Sequence, residues 1–471
     1  MRALKTKIRG LKKPQFERLK DLTHHAKNLY NQTLWTLREV FEATGQYFSY
    51  PQMDKVMKQV TNLEGEINYK LLKSKVAQQT LRRLDKNFRS FFSCHQDFQK
   101  NPGKYKGKPR PPKYKQGKHD NLIFDYQAFR IQGLFIVEKG PEITLPNGKT
   151  FPTGESIRYE QVVVLEKELE IQVPKQLWDK DIKQVEIIPK HNSFHAVFVH
   201  EENLADFIQV NQNEQVMSID LGLNNLATCV TNGVVEPFII DGRRLKSINA
   251  YYNKKKASMQ SKLSKRGKKW SRQLQSLTDW RNAVVNDYMH KATSYVVKTC
   301  VKHGISKVVV GDVVKSLNQI NLGKRTNQNF VNLSLGQFVS KLSYKLGSHG
   351  IELVVTDESY TSKASFVDGD KMPKRYNPKA KKKHTFSGKR VKRGLYKSGD
   401  GTLLNADTNG AYNILRKTDP GASFSKWVEK VGARVKEWLH PSKRIRPLPT
   451  KKELFWINLN RVKFKSNLSS H

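Results

Sequence analysis

Val216-Met217-Ser218-Ile219-Asp220-Leu221-Gly222-Leu223-Asn224-Asn225-Leu226-Ala227 decides how this chain is read. An apolar run of strand length carries one carboxylate at its centre and then breaks at a glycine. Burying an unpartnered carboxylate is costly, so Asp220 either is paired or binds a cation. Two acidic stretches lie far downstream, Asp357-Glu358-Ser359-Tyr360-Thr361-Ser362-Lys363 and Asn405-Ala406-Asp407-Thr408-Asn409-Gly410-Ala411-Tyr412-Asn413-Ile414. Together the three make one candidate metal site.

The order of elements around that stretch is informative. Strands at 215–221, 226–231 and 234–240, with an Asn232-Gly233 turn before the third, make an antiparallel meander. A very basic helical stretch runs from Leu245 to Cys300 and includes Lys254, Lys255 and Lys256. A strand at 307–310, a helix from about Leu335 to Leu346, a strand at 351–355 and a final helix from Thr408 follow. The order βββαβαβα is that of the ribonuclease H fold, with no strand evident between Val355 and the last helix. The fourth and fifth strands each follow a helical crossover and are expected to run parallel to the first. Parallel strands present their C-terminal ends on one edge, where sites in such sheets usually lie. Asp220 is on the first strand, Glu358 ends the fifth, and Asp407 immediately precedes the last helix, where an Asp also suits a cap. Hard cations such as Mg²⁺ take oxygen ligands. Two of them, about 3.5–4 Å apart, can activate a water and stabilise the leaving oxygen at a phosphodiester. Crowded carboxylates repel one another without cations. The pattern therefore predicts a metal-dependent nuclease site with Asp220, Glu358 and Asp407 as catalytic residues and Mg²⁺ ligands.

Composition points the same way. The chain has 471 residues, enough for two to four domains at roughly 100–200 residues each. Lysine and arginine number 85 against 42 acids, a net charge of +43 that points to a polyanion, nucleic acid first. The bland alternative is a merely soluble basic protein. Cys94, Cys229 and Cys300 are widely spaced and suit neither a disulfide framework nor a zinc ribbon, which fits a reducing cytoplasm. Met1-Arg2-Ala3-Leu4-Lys5 lacks the apolar core of a signal peptide, and no apolar run approaches the ~18 residues of a membrane span. The expected place is the bacterial cytoplasm or nucleoid, with no membrane partner.

Upstream, residues 1–12 read as a short basic strand. From Pro14, Phe16, Leu19, Leu22, Ala26, Leu29 and Tyr30 recur at helical spacing. A second helical run from Val76 to Phe92 puts Leu81, Leu84, Phe88 and Phe91 on one face and Arg82, Arg83, Lys86 and Arg89 off it. That basic face is either a solvated surface or one that grips phosphates; periodicity does not separate them. From Asn101 to Lys115 prolines break any long helix, and Tyr105 and Tyr114 stand among lysines. The segment reads equally as a linker and as a surface for backbone contacts and base stacking. Short Ile-, Val- and Phe-rich runs from Asn121 to about Val210 predict a small antiparallel sheet or barrel, which the first strand could join.

These residues resemble the RuvC-type nuclease domain of the TnpB family, RNA-guided DNA nucleases encoded by insertion sequences and similar to the ancestors of type V CRISPR effectors. The resemblance covers nearly the whole chain. It is carried by Ser218-Ile219-Asp220-Leu221-Gly222 with Asn225-Leu226-Ala227-Thr228, by the stretch from Asn405 to Ile414, and more weakly by Arg281-Asn282, Asp287-Tyr288, His290-Lys291 and Tyr30-Asn31-Gln32-Thr33-Leu34. Two departures matter. The family usually places a second catalytic Glu at the end of the fourth strand, where this chain has Val310-Gly311-Asp312. Some branches look rearranged, with the Glu on the fifth strand, and Glu358 fits that pattern; Asp312 ranks second and Asp357 third. Many members also carry a CxxC…CxxC zinc ribbon between the last two motifs. This chain has Ala364-Ser365-Phe366 and Leu395-Tyr396-Lys397-Ser398 there, and His384 alone cannot hold zinc, so none is expected. Residues 371–398 instead carry 12 Lys/Arg and no acid. They are either a disordered basic loop or one that guides nucleic acid, with Lys381, Lys382, Lys383, Lys389 and Arg390 as contacts.

The expected fold is multidomain α/β, with an RNase H-like (RuvC) domain, a helical recognition domain and a small β-barrel wedge. The boundaries are 1–12 and 120–210 for the wedge, 13–119 for the recognition helices, 211–358 and 402–471 for the nuclease domain with its basic tail, and 359–401 for the insertion. The resemblance implies a guide RNA, target DNA and Mg²⁺, with pairing choosing the DNA and protein holding the heteroduplex backbone. The alternatives are a catalytically silent RNA-guided DNA-binding protein and an unguided RNase H-fold nuclease.

Overall fold

The computed structural model describes residues 1–139, 142–144, 150–152, 155–191, 193–201, 215–233, 235–312, 335–373, 384–419 and 422–448. The chain divides into two compact units, 1–203 and 204–471.

The first unit runs β1 (Arg2–Lys7), α1 (Lys13–Thr44), α2 (Tyr50–Met57), α3 (Ser74–Lys100), β2 (Leu122–Asp125), β3 (Arg130–Lys139), β4 (Glu142–Thr144), β5 (Thr150–Pro152), β6 (Glu155–Glu166), β7 (Leu169–Gln172), β8 (Ile182–Lys190) and β9 (Ser193–His200). Strands β1-β9-β8-β2 form one antiparallel sheet and β3-β6-β7 another. The first strand therefore joins the later strands, and the helices are inserted between them. Leu19, Leu29 and Leu34 of α1, Leu81 and Leu84 of α3, and Val163, Val185 and Phe198 of the two sheets share one core. The proline-rich segment after α3 is laid along α1. Asn31 exchanges hydrogen bonds with the Lys115 backbone at 3.0 and 2.8 Å, and Arg38 donates to the Pro112 carbonyl at 3.0 Å.

The second unit runs β10 (Val216–Leu221), β11 (Asn225–Thr231), β12 (Phe238–Asp241), α4 (Arg243–Ser264), α5 (Arg272–Lys302), β13 (Lys307–Gly311), α6 (Leu335–Gly347), β14 (Glu352–Thr356), β15 (Lys389–Lys392), β16 (Leu395–Lys397), β17 (Leu403–Asn405), α7 (Ala406–Thr418), α8 (Phe424–Val431), α9 (Val435–Leu439) and β18 (Arg444–Ile445). Its six-stranded sheet has the order β14-β13-β10-β11-β12-β18. β10, β11 and β12 are antiparallel neighbours, while β13 runs parallel to β10 and β14 parallel to β13. The crossovers do what the sequence order required of them. The third strand starts at Phe238, later than the sequence suggested, because Thr231 and Val235 close a turn through mutual hydrogen bonds of 2.9 and 3.0 Å.

α5 and α6 pack with Met217, Ile219, Val308 and Val310, whereas α7 packs with Val230, Phe366 and Trp427. The central strands are thus buried on both faces, which is why they read as nearly continuous apolar runs. No helix among the described residues is long and apolar enough to cross a membrane.

Candidate active site

Alternation along β10 fixes where Asp220 points. Met217, Ile219 and Leu221 enter the core shared with α5 and α6, so Ser218 and Asp220 face the other side. There Ser218 Oγ donates to the Ala411 carbonyl of α7 at 2.8 Å. Gly410 allows the helix to sit this close, because a Cβ on it would lie 3.0 Å from Asp220 Oδ2.

α7 is capped by Asn405, whose side chain accepts from the Asp407 and Thr408 backbone N–H groups at 3.0 and 3.1 Å. The sequence placed Asp407 just ahead of the helix. The structure corrects this: Asp407 lies in the first turn, and the capping is done by Asn405. Asp407 Oδ2 accepts from Asn225 Nδ2 at 2.7 Å, and Oδ1 lies 3.6 Å from an Arg390 Nη.

Glu358 sits two residues past β14 on a tight turn. Its carbonyl accepts from Thr361 N–H at 3.1 Å and Thr361 Oγ1 at 2.9 Å. Tyr360 holds a left-handed φ of 68°, which non-glycine residues seldom adopt. Asn413 donates to the Thr361 and Ala364 carbonyls at 3.0 and 2.7 Å, and Asn409 to Ala364 at 2.8 Å. Two asparagines of the Asp407 motif therefore fasten the segment that follows Glu358.

The end of the fourth strand explains why that segment matters. A Cβ on Gly311 would collide with Glu358 Oε1, Cγ and Cδ. The Glu358 carboxyl thus occupies the space a side chain at position 311 would fill. Its Oε1 is buried and makes no hydrogen bond with any described residue. Burial, reinforced by the charges of Asp312 and Asp357 and opposed by Lys417, pushes the Glu358 carboxyl up to about 7. Burial also holds Asp220 well above the ordinary carboxylate range; Glu358 and then Asp407 add to the effect, and Arg390 opposes it. Asp357 behaves differently. Against the effect of burial, hydrogen bonds from Ser359 and the charge of Lys417 hold it below the ordinary range. It accepts from Ser359 N–H at 2.8 Å and lies 3.5 Å from Lys417 Nζ. Asp312 donates its N–H to the Thr356 carbonyl at 2.7 Å.

Three acids thus meet on one edge, and Asp220 feels both of the others. Among the described residues, however, no three His, Cys, Asp or Glu side chains stand together at metal-ligand spacing. The donor set is nonetheless the kind that suits a hard divalent cation: carboxylate oxygens, one of them buried without a partner. Beside Asp407 lies a cleft lined by Arg243, Arg390, Arg393 and Arg444. Of these only Arg390 was singled out from sequence. Arg444 lies 219 positions from Asn225, to which it bonds, and no local periodicity marks it.

The insertion is folded where it is described. β15, β16 and β17 form an antiparallel sheet with Tyr396 buried and donating to the Lys363 carbonyl at 2.8 Å. Asp368 accepts from Ser387 Oγ at 2.8 Å and the Gly399 N–H at 2.6 Å, and Asp370 accepts from the Ser365 N–H at 2.8 Å. Lys389 and Arg390 are exposed on β15; Lys381, Lys382 and Lys383 lie outside the described residues. On α4, Lys254 is exposed, while Lys255 and Lys256 lie over the Tyr251 and Tyr252 rings at 5.9 and 5.8 Å.

The basic residues of α3 are not equivalent. Arg83 bonds Asp120 at 2.5 Å with its side chain 19% exposed, which takes it out of a phosphate-gripping face. Arg89 pairs with Asp85 at 2.8 Å, Arg82 lies over Tyr50 at 4.7 Å, and Lys86 is exposed. Tyr105 donates to Asp97 at 2.5 Å, whereas Tyr114 is exposed with Arg38 over its ring at 4.8 Å.

Known proteins share parts of this chain. The pattern that defines the OrfB_IS605 family, described as a probable transposase, matches residues 195–317, and that of the Cas12f1-like TNB domain matches 336–414. A TnpB-like protein of Methanocaldococcus jannaschii is 25% identical over 245 residues, 51% of this chain and 80% of the relative. Cas12f1, solved as a complex with sgRNA and target DNA, superposes over 86% of this chain and 83% of its own at 15% identity and a TM-score of 0.45. Alicyclobacillus acidoterrestris C2c1, solved with single-guide RNA, superposes over 86% and 68% at 10% identity and a TM-score of 0.33. The two matched patterns and the archaeal relative each make part of this chain similar to TnpB-like and Cas12f1-like proteins.

Proposed function

We propose that this protein is an RNA-guided DNA endonuclease that hydrolyses phosphodiester bonds at an RNase H-like (RuvC) site formed by Asp220, Glu358 and Asp407. The observation that carries the reading is Glu358 Oε1, a buried oxygen with no hydrogen-bond partner among the described residues, lodged in the volume left by Gly311. A folded protein seldom keeps such a group unless a ligand completes it. The three carboxylates would hold divalent cations, Mg²⁺ in the cell. When bound, such ions activate water and neutralise charge at the scissile phosphate.

The chain's own residues do the rest. Gly410 and Gly311 keep the room around the acids clear of side chains. The turn at 358–361, fastened by Asn409 and Asn413, fixes the Glu358 backbone. Arg390 and Arg393 present guanidinium groups beside Asp407, where they would grip the phosphates of the strand to be cut. The net charge of +43 suits the backbone of a guide RNA and of the heteroduplex it forms with DNA. In this reading the helices of 13–119 and the sheets of 1–12 and 120–210, a barrel-like wedge, read a short flanking DNA motif. Residues 359–401 bring the target to the site.

To test this, the protein is purified from cells and its bound RNA sequenced. The complex is then offered matched DNA with Mg²⁺. A discrete long RNA and cut DNA are expected; protein free of RNA would leave an unguided nuclease. The catalytically silent reading has its own outcome in the same experiment. Matched DNA that is bound tightly but left whole would establish it.

A further inference from the structure

β18, the last strand among the described residues, reaches the site through Arg444. β18 is two residues long and pairs parallel with β12, Arg444 standing opposite Ile239. Arg444 Nη1 donates to Asn225 Oδ1 at 2.8 Å, and Asn225 Nδ2 donates to Asp407 Oδ2 at 2.7 Å. The order of these atoms is not arbitrary. A guanidinium has only donors and a carboxylate only acceptors, so the Asn225 amide can satisfy both in one orientation alone. Arg444 is held in turn, lying 3.9 Å from an Asp241 carboxylate that Arg243 already grips at 2.6 Å.

We infer that Arg444 and Asn225 are positioning residues that set the Asp407 carboxylate for cation binding, so that β18 completes the site. The inference rests on the reading of Asp407 as a cation ligand. With the guanidinium in place, the amide N–H is polarised and pinned toward Asp407. Without it, the amide is free to rotate and present its oxygen, an acceptor facing an acceptor. Partners of this kind typically change metal affinity by about 10–100-fold when removed.

The test is Mn²⁺ binding to the full-length protein free of nucleic acid, followed by calorimetry. Wild type is compared with Arg444→Ala, Arg444→Lys, Asn225→Ala, the double Arg444→Ala/Asn225→Ala, and Asp407→Ala. We expect Arg444→Ala and Asn225→Ala each to weaken binding by about 10-fold or more. Lysine at 444 should recover part of that loss, and the double variant should be no worse than either single one, because the two residues act in one chain. Melting temperatures without cation separate this from a loosened edge strand, which would lower stability in Arg444→Ala but not in Asn225→Ala. Wild-type affinity in Arg444→Ala, or losses that add in the double variant, would overturn the inference. If Asp407→Ala binds as wild type does, the reading of the site fails first, and that result is distinguishable from failure of the relay.

Discussion

The basic face of α3 and the acidic edge of the large sheet are both groups of like charge, the first contiguous in sequence and the second assembled from residues 220, 358 and 407. In the folded chain they differ in kind. On α3, Arg83 and Arg89 have acidic partners and Arg82 has a ring beneath it. At the sheet edge, Glu358 Oε1 is buried without a hydrogen-bond partner among the described residues, and Asp220 is pressed by two further acids. Paired charge is what a fold does for itself, whereas unpaired buried charge is unstable until something binds. The difference can be broken or sharpened by substitution.

The largest effects belong to the acids. Asp220→Ala, Glu358→Ala and Asp407→Ala should each reduce cutting of matched DNA by at least about 10³-fold, on the order of 4 kcal/mol of transition-state stabilisation, and leave DNA binding near wild type. Gel assays of cleavage and binding check both halves. Full cutting by Glu358→Ala would move the second acid elsewhere, Asp312 first.

Gly311→Ala comes next. It adds one methyl group where the Glu358 carboxyl sits. Displacement by about 1 Å should lower the single-turnover cleavage rate by roughly 100-fold. A wild-type rate would mean that Glu358 does not need that position.

On the paired side, Arg83→Ala removes the nearer cation from the Asp120 carboxylate, whose side chain is 8% exposed, and leaves it Lys115 at 3.6 Å. It should destabilise the first unit by about 2–4 kcal/mol in urea unfolding. Arg89→Ala, which breaks a pair whose arginine is 68% exposed, should cost at most about 1 kcal/mol.

The pH dependence follows from Glu358, whose carboxyl rises from an ordinary 4.5 to about 7 on folding. The folded state holds that proton more tightly than the unfolded chain. The resulting stability is fully present below about 4.5 and is lost as pH rises through about 7. Metal-free protein should therefore lose on the order of 1–3 kcal/mol between about pH 4.5 and 7.5. Glu358→Gln, neutral and of similar size, should flatten that decline. An equal slope in both proteins would show that the charge is not buried as described.

The smallest effect is expected from Lys86→Ala, a change in DNA affinity of a few-fold with a salt slope lower by about 1.

Much of the sheet was legible because its strands obey simple periods. Buried central strands give apolar runs, and helical crossovers enforce parallel pairing, so β10, β13 and β14 came out in order and direction. The convergence of Asp220, Glu358 and Asp407 on one edge could be expected for the same reason, since each falls at a recognisable end or interruption of an element. What stayed hidden was complementarity across the chain. In sequence, Gly311 is only a missing acid; in three dimensions it is the room that Glu358 fills. Asn405 and Asp407 are both good caps, and only the backbone shows that Asn405 takes the role. Arg444 sits in a two-residue strand too short for any period. The insertion, read as a loop, gains its order from hydrogen bonds to Asp368 and Asp370 whose partners lie up to 32 positions away.

The most direct measurement is anomalous diffraction from Mn²⁺ in crystals of the RNA- and DNA-loaded complex. The account requires Mn²⁺ bound by carboxylate oxygens of Asp220, Glu358 and Asp407 together, with the Glu358 carboxyl still over Gly311. Mn²⁺ held by Asp220 and Asp407 with Asp312 in place of Glu358, or no Mn²⁺ at this edge, would contradict it.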